Sequence, residues 1–270
     1  MDQAAVWTMQ DNDAPIRTTL RDGVGLIELA RPAVFNCLSR QMLAAIGDAV
    51  ATFERSGACA LVIAAAGKNF CTGAALDEVE AVRGAEAELR ELLALGHSVL
   101  SRIEASPLPV VVAVQGLCLA GGIEMVLACD IVFAAEDARF GDQHAAFGLI
   151  PGWGGSQRLT RTVGLRRALD LMYSARWIEA PVAMQWGLVN QLAPAARLRE
   201  EALAYAGQLA TKSRNGLAAI KRLGHYAVGS RALADGLRRE QEEAMAVLTG
   251  TDITEGLAAF RERRAPNFAR

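Results

Sequence analysis

The sequence predicts an α/β protein that is built from βαβ units and ends in a mainly helical part. Two continuous apolar runs, residues 59–65 and 110–114, have the length and composition of strands that are covered on both faces. An amphipathic helical pattern lies between them, at about residues 85–105. Strands that alternate with helices in this way favour a parallel sheet. Residues 197–263 have the helical period almost throughout.

The first elements follow from local signals. Residues 16–20 and 24–29 flank the dipeptide Asp22-Gly23, which is typical of a hairpin turn, so both are predicted to be strands. Ser39 is a suitable N-cap for the next helix. The apolar residues of that helix recur at spacings of four and three, namely Met42, Ile46, Val50 and Phe53. The helix is expected to end near Ser56-Gly57.

The long helix at about residues 85–105 leads into the most apolar part of the chain. Its stripe consists of Leu89, Leu92, Leu93, Gly96, Leu100 and Ile103. Residues 108–135 are then almost wholly apolar and longer than the roughly 20 residues that cross a bilayer. However, Glu124 and Asp130 would be costly near a bilayer centre, and Gly121-Gly122 interrupts the run. A buried strand followed by a buried helix is therefore predicted, with no membrane partner.

Composition excludes several classes of protein. The chain has 270 residues, 52% of them hydrophobic, and a net charge of -2, which argues against disorder and against electrostatic binding of nucleic acid. Its five cysteines are scattered, and no motif with metal-ligand spacing is present, so we expect no disulfide framework and no metal site. Residues 1–15 have no apolar stretch, so no signal peptide is expected and the predicted location is cytoplasmic.

The C-terminal helices are expected to form a separate part of the molecule. Breaks in the helical pattern occur near residues 213–216, 229–230 and 250–251. The last three helices combine apolar stripes with Arg and Glu faces, so they could either cover their own core or pack on a neighbouring subunit. We predict a core at residues 1–196 and a helical domain at residues 197–270.

Two loops with similar composition carry the functional signal. Residues 67–76 and 114–124 each run from a buried strand through small residues into the start of a helix. Helix N-termini expose unpaired N–H groups, and glycine lets a ligand approach the backbone closely. Two such loops could hold one carbonyl oxygen between two amides, as in an oxyanion hole. Phosphate binding and simple close packing are the alternatives, although no phosphate-binding loop or dinucleotide fingerprint is present.

These loops and their surroundings resemble one known family. Residues 109–124, with the pairs Cys129-Asp130 and Phe140-Gly141, are similar to the central signature of the enoyl-CoA hydratase/isomerase (crotonase) family. Further similarities, in order along the chain, are at Arg31-Pro32, Asn36, Leu38, residues 67–76, residues 148–159 and residues 255–263. The resemblance therefore extends over nearly the whole chain.

The resemblance implies a fold and an assembly. A crotonase-like protein is a spiral of βαβ units that form two roughly perpendicular sheets, with a C-terminal helical trimerisation domain. Members often assemble as trimers or as hexamers that are dimers of trimers. The substrate is an acyl-CoA, and no cofactor is expected beyond the coenzyme A of that substrate.

By motif position, the backbone N–H groups of Ala74 and Gly121 are expected to form the oxyanion hole around the thioester oxygen. Substrate and CoA binding is expected from the same two loops and from the segment that follows. The residues concerned are Lys68, Ala74, Leu76, Gly122 and Trp153. Lys68 could instead be an ordinary solvated lysine. Trp153 stands where the family often has a small residue, so it either shapes the acyl pocket or belongs to the core.

The expected catalytic residues are Glu124 and His144. Glu124 matches one of the two catalytic glutamates of the hydratases, whereas His144 occupies the place of the second. Histidine can also take or give a proton, but His144 could instead be a loop residue that bonds Asp142. The resemblance thus implies a hydratase that adds water across the 2,3 double bond of an enoyl-CoA. The alternatives are an isomerase, a hydrolase that uses His144, and a catalytically impaired acyl-CoA-binding protein.

Overall fold

The computed structural model describes residues 14–229 and 232–268. Most of the N-terminal segment for which no signal peptide is expected, residues 1–13, lies outside the described residues. Residue 230, which belongs to the second predicted helix break, and residue 231 also lie outside them. All positions that the sequence singles out for the site are described.

The described strands form two sheets. The strands are β1 (Ile16–Arg21), β2 (Val24–Leu29), β3 (Ala60–Ala65), β4 (Val110–Val114), β5 (Leu117–Leu119), β6 (Ile131–Ala135), β7 (Arg139–Gly141), β8 (Ile178–Glu179) and β9 (Gln191–Ala193). The larger sheet has six strands in the order β1-β2-β3-β4-β6-β9, and the smaller has three in the order β5-β7-β8. From β2 to β9 every neighbouring pair in the larger sheet is parallel, which confirms the predicted βαβ pattern.

Helices cover this framework and make up the C-terminal part. They are α1 (Arg40–Arg55), α2 (Leu76–Val82), α3 (Glu86–Ala105), α4 (Gly121–Leu127), α5 (Gly155–Val163), α6 (Leu165–Ser174), α7 (Ala180–Gln185), α8 (Leu198–Ala210), α9 (Arg214–Gly229), α10 (Leu233–Leu248) and α11 (Asp252–Glu262). Short 3-10 turns occupy Pro32–Val34 and His144–Phe147. The helical C-terminal part is therefore as the periodicity predicts.

The N-terminal signals are confirmed. β1 and β2 are an antiparallel pair, and both Asp22 and Gly23 have positive φ, as the tight turn requires. The Ser39 side chain accepts a hydrogen bond from the backbone N–H of Met42 at 3.1 Å and so caps α1. The predicted apolar residues of α1 are buried against the sheet and α3.

The stripe of α3 differs slightly from the prediction. The buried residues are Leu92, Gly96, Val99, Leu100 and Ile103. Leu93 is 41% exposed, because it lies at the edge of the stripe and reaches toward Gly152. Val99, which the predicted stripe omitted, is buried instead.

The apolar run of residues 108–135 forms β4, β5, α4 and β6 rather than one long helix. No helix in the described part of the chain is long and apolar enough to cross a membrane. The structure adds the short strand β5 between β4 and α4, where the sequence predicted only a loop of small residues. Because β5 pairs with β7, it starts the second sheet at the loop that carries the site.

Helix α8 packs on the larger sheet through small residues. Ala202, Ala206 and Ala210 are buried in the same core as β3 and β4. By contrast, α10 packs mainly against α9 and α11. The division after residue 196 stays a prediction, and this packing joins α8 to the core rather than to the last three helices.

Candidate active site

The two glycine-containing loops lie side by side, as expected from their positions at the ends of β3 and β4. Cys71 and Cys118 form a parallel bridge between them. The Cys71 N–H donates to the Leu117 carbonyl at 3.2 Å, and the Leu119 N–H donates to the Cys71 carbonyl at 2.9 Å. These backbone hydrogen bonds hold the ends of both loops at one place.

Amide side chains hold the first loop, residues 67–76, through hydrogen bonds to backbone groups at its start. Asn36 is fully buried, and its Nδ2 donates to the carbonyls of Ala66 and Asn69, at 3.0 Å each. Asn69 in turn accepts a hydrogen bond from the Leu117 N–H at 3.1 Å through its Oδ1. Gln115 donates to the Ala65 carbonyl at 2.8 Å. In the sequence, Asn36 is recognisable only as part of the family motif, and its anchoring role is not predicted. An amide side chain that can bond nearby backbone groups is a signal of such anchoring.

The backbone nitrogens of Ala74 and Gly121 lie close together. The Ala74 nitrogen lies 3.3 Å from the position that a Cβ atom on Gly121 would take, and the Gly121 nitrogen lies 3.3 Å from the corresponding position on Gly73. Gly121 begins α4, so its N–H has no partner within the helix. Neither N–H has a hydrogen-bond acceptor among the described residues. Two free donors therefore lie close together, as an oxyanion hole requires.

Backbone geometry presents the Gly121 amide. Ala120, just before α4, has φ +48° and ψ -117°, an unfavourable conformation for a residue with a side chain. Its N–H donates to the Gly141 carbonyl at 2.9 Å, which ties this position to the end of β7. Strain of this kind persists only where the surrounding structure holds the residue in place. At Ala120 the strained backbone lies next to the free amides of Ala74 and Gly121.

Gly121 and Gly122 also have packing reasons to be glycine. A Cβ atom on Gly121 would lie 2.8 Å from Cζ3 of Trp153. A Cβ atom on Gly122 would lie 2.4 Å from the Cys71 carbonyl oxygen. Gly122 therefore permits close contact between α4 and the first loop, and its part in substrate binding stays a prediction.

Glu124 lies one turn into α4 and is only 1% exposed. Its Oε1 accepts hydrogen bonds from the backbone N–H groups of Trp153 and Gly155, each at 2.8 Å. Burial raises the pKa of Glu124, while the Gly155 hydrogen bond, the charge of His144 and the Trp153 hydrogen bond lower it in part. The second oxygen, Oε2, remains available on the side of His144.

His144 lies between two carboxylates. Its Nδ1 is 2.9 Å from Oδ1 of Asp142, and its Nε2 is 3.7 Å from Oε2 of Glu124. Burial by itself lowers the pKa of His144, but the hydrogen bond and charge of Asp142, together with the charge of Glu124, raise it overall. The structure thus brings the two predicted catalytic residues together, and it also shows the contact with Asp142 that the alternative interpretation of His144 expected.

Trp153 fills the space between α3 and the N-terminus of α4. It is 4% exposed, and a Cβ atom on Gly96 of α3 would lie 2.3 Å from its Nε1. That Nε1 has no hydrogen-bond partner among the described residues. Arg158 holds the backbone nearby: it donates to the Trp153 carbonyl at 2.9 Å and pairs with Glu104 through two further hydrogen bonds. Trp153 is therefore both a buried side chain and a neighbour of Gly121.

Two predicted binding residues lie at the outer side of the first loop. Lys68 is exposed, and Leu76, the first residue of α2, is 47% exposed. Their contact with a CoA group stays a prediction. Within residues 14–229 and 232–268, no group of three or more His, Cys, Asp or Glu side chains is arranged to hold a metal ion.

Comparison with known proteins identifies the family of this chain. Residues 19–270 match the family described as enoyl-CoA hydratase/isomerase. A protein of Rhizobium meliloti strain 1021 named as a probable enoyl-CoA hydratase is 35% identical over 246 residues, which cover 91% of this chain and 94% of the relative. The crotonyl-CoA hydratase of Syntrophomonas wolfei is 33% identical, with 91% and 94% of the two chains covered.

Solved structures agree as well. The crystal structure of an enoyl-CoA hydratase from Bacillus anthracis superimposes with a TM-score of 0.89 at 32% identity and covers 94% of this chain and 98% of its own. The chain therefore belongs to the enoyl-CoA hydratase/isomerase family.

Proposed function

We propose that this protein is a lyase that adds water across the 2,3 double bond of an enoyl-CoA. The observation that carries the proposal is the pair of free amides, Ala74 and Gly121, together with Glu124 of the adjoining helix α4 and His144 beside it. The thioester oxygen would accept both N–H groups. Membership of the family and relatives named as hydratases support the same reaction.

The proton transfers balance with these residues alone. Glu124 takes one proton from water as the water oxygen bonds to C3 of the substrate. The electrons of the double bond move toward the thioester oxygen, where Ala74 and Gly121 stabilise the negative charge. His144, as an imidazolium, gives its proton to C2. Glu124 then returns its proton to His144, a transfer that needs the two side chains, 3.7 Å apart, to approach to hydrogen-bond distance or to share one water.

Glu124→Gln is the direct test of the proposed base. The glutamine oxygen can still accept the two backbone hydrogen bonds, but the residue can no longer take a proton. We expect kcat for crotonyl-CoA, followed by the loss of conjugated thioester absorbance, to fall about 100- to 10,000-fold. Glu136→Gln, at an exposed position, is the matched control and should retain full activity. A Glu124→Gln variant as active as this control would contradict the proposal.

Double-bond isomerisation is the second candidate. The short distance between Glu124 and His144 favours it, because such a pair could remove a proton from one carbon and return it to another without adding water. Product analysis distinguishes the two reactions, since only hydration of crotonyl-CoA yields a 3-hydroxyacyl-CoA. CoA binding without turnover of any enoyl-CoA would instead favour an acyl-CoA-binding role.

We also propose that copies of the chain assemble as a trimer or hexamer through the C-terminal helices. Large apolar side chains on α10 and α11 are exposed in the single chain, notably Leu233, Met245, Leu257 and Phe260. Their burial between subunits would be favourable. A cytoplasmic location is proposed because all five cysteines are free thiols.

A further inference from the structure

Asp142 is a buried carboxylate with no role in the reaction proposed above. It follows β7 directly and is 1% exposed. Its Oδ1 lies 2.9 Å from Nδ1 of His144 and 3.3 Å from the backbone nitrogen of the same residue. Its Oδ2 is buried and has no hydrogen-bond partner among the described residues. The contacts of this carboxylate are thus directed at His144.

The two contacts restrict the orientation of the histidine ring. Because Oδ1 faces both the backbone N–H and Nδ1, rotation of the ring would break the side-chain hydrogen bond. Nδ1 is consequently the donor toward Asp142, and Nε2 is left on the side of Glu124, 3.7 Å from its Oε2. The charged groups that face the ring are these two carboxylates, Asp142 from the segment after β7 and Glu124 from α4.

A buried carboxylate with so few partners strongly favours a cation beside it. An unpaired charge in the interior is costly, and His144 is the group that can compensate for it. We propose that Asp142 is a positioning residue that fixes the His144 ring and keeps it protonated until Nε2 donates to the substrate. This inference rests on the proposed hydratase function, in which His144 is the proton donor.

The raised pKa of His144 predicts how the activity depends on pH. The pKa of His144 is raised, so the imidazolium persists to higher pH than usual, and activity is lost as pH rises through that pKa. Asp142→Asn removes the charge but keeps an oxygen that can accept. The basic limb of the kcat profile should then move down by about one to three pH units, the usual effect of one nearby opposite charge.

Two measurements on the full-length chain test this inference. The first is an NMR titration of the imidazole rings, with the His144 signal assigned by its loss in His144→Gln. We expect its midpoint to fall in Asp142→Asn and to stay raised in Asp142→Glu, which keeps the charge. Asp137→Asn, at an exposed position, is the control and should leave the midpoint unchanged. The second is the pH profile of kcat for crotonyl-CoA in the same variants.

The outcomes separate this inference from the proposed function. An unchanged His144 midpoint in folded Asp142→Asn would overturn the role of Asp142, even in an active hydratase. Loss of kcat by the same factor at every pH, with the basic limb unmoved, would also overturn it. If the unaltered protein hydrates no enoyl-CoA, the hydratase proposal fails, whereas the NMR titration still decides whether Asp142 controls His144.

Discussion

Trp153 can either shape the acyl pocket or serve only as a core residue, and a single substitution distinguishes the two roles. Its ring contacts α3 at Gly96 and lies against Gly121, whose amide belongs to the proposed oxyanion hole. A bulky ring there would limit the space for the acyl group next to the thioester. Its burial also means that truncation carries a stability cost of about 3–5 kcal/mol. Binding and stability must therefore be measured on the same variant.

For Trp153→Ala we expect a changed acyl preference in the fraction that folds. The ratio of kcat/KM for a longer enoyl-CoA to that for crotonyl-CoA should rise by about tenfold or more, the effect of one or two methylene groups in a pocket. Trp186→Ala is the control, since the contacts of that ring are with Arg167 and Arg176 rather than with Gly96 or Gly121. An unchanged preference would identify Trp153 as a core residue only.

At the scale of elements, α9 is attached to the core by an ion pair whose lysine is buried and whose carboxylate is partly exposed. The Lys221 side chain is 8% exposed, and its Nζ lies 2.8 Å from Oδ2 of Asp130. Nζ also donates to the carbonyl of Ile103 at the end of α3 and to that of Leu108. Asp130 itself accepts a hydrogen bond from the Val110 N–H at the start of β4. One side chain thus joins the C-terminal helices to the central sheet.

Lys221→Met should destabilise the protein because it removes the nearer cation from Asp130, whose side chain is 18% exposed and then keeps only His225, at 3.6 Å. Removal of one partner of a fully buried pair costs about 3–5 kcal/mol, which is the upper bound for this partly exposed pair. The free energy of unfolding, measured in urea, should fall by at most this amount. Lys212→Met is a control at an exposed position. A decrease no larger than that of the control would show that the pair contributes little.

The sequence predicts elements well where local signals and periodicity agree. The Asp22-Gly23 turn, the Ser39 cap and the buried runs of β3 and β4 all have causes within a few residues. Strand β5 has only three residues and depends on pairing with β7, so no local pattern could reveal it. The second sheet could be predicted only from the family resemblance.

The site was predictable to a similar extent. Motif position pointed to Ala74, Gly121, Glu124 and His144, and the structure brings Ala74 close to Gly121 and Glu124 close to His144. The anchoring by Asn36 and the position of Trp153 against Gly96 depend on contacts between segments that are distant in sequence. Such contacts leave little trace in a single sequence.

At the scale of the whole molecule, the exposed apolar side chains of α10 and α11 bear on assembly. Sedimentation should give a mass of three or six times the 28.7 kDa of one chain. Phe260, which is 82% exposed in the single chain, would be buried in such an assembly. Phe260→Asp should therefore shift the distribution toward smaller species, whereas Arg261→Ala should not. A monomer at micromolar concentration in the unaltered protein would contradict the proposed assembly.

The contact between Gly96 and Trp153 also couples these two positions to each other. With any other residue at position 96, the Cβ atom would occupy the place of the indole ring, at 2.3 Å from Nε1. Glycine inside a helix costs about 1 kcal/mol relative to alanine, so α3 has a less favourable residue here and in exchange leaves room for the ring. An alanine at position 96 is therefore compatible with this core only together with a smaller side chain at position 153.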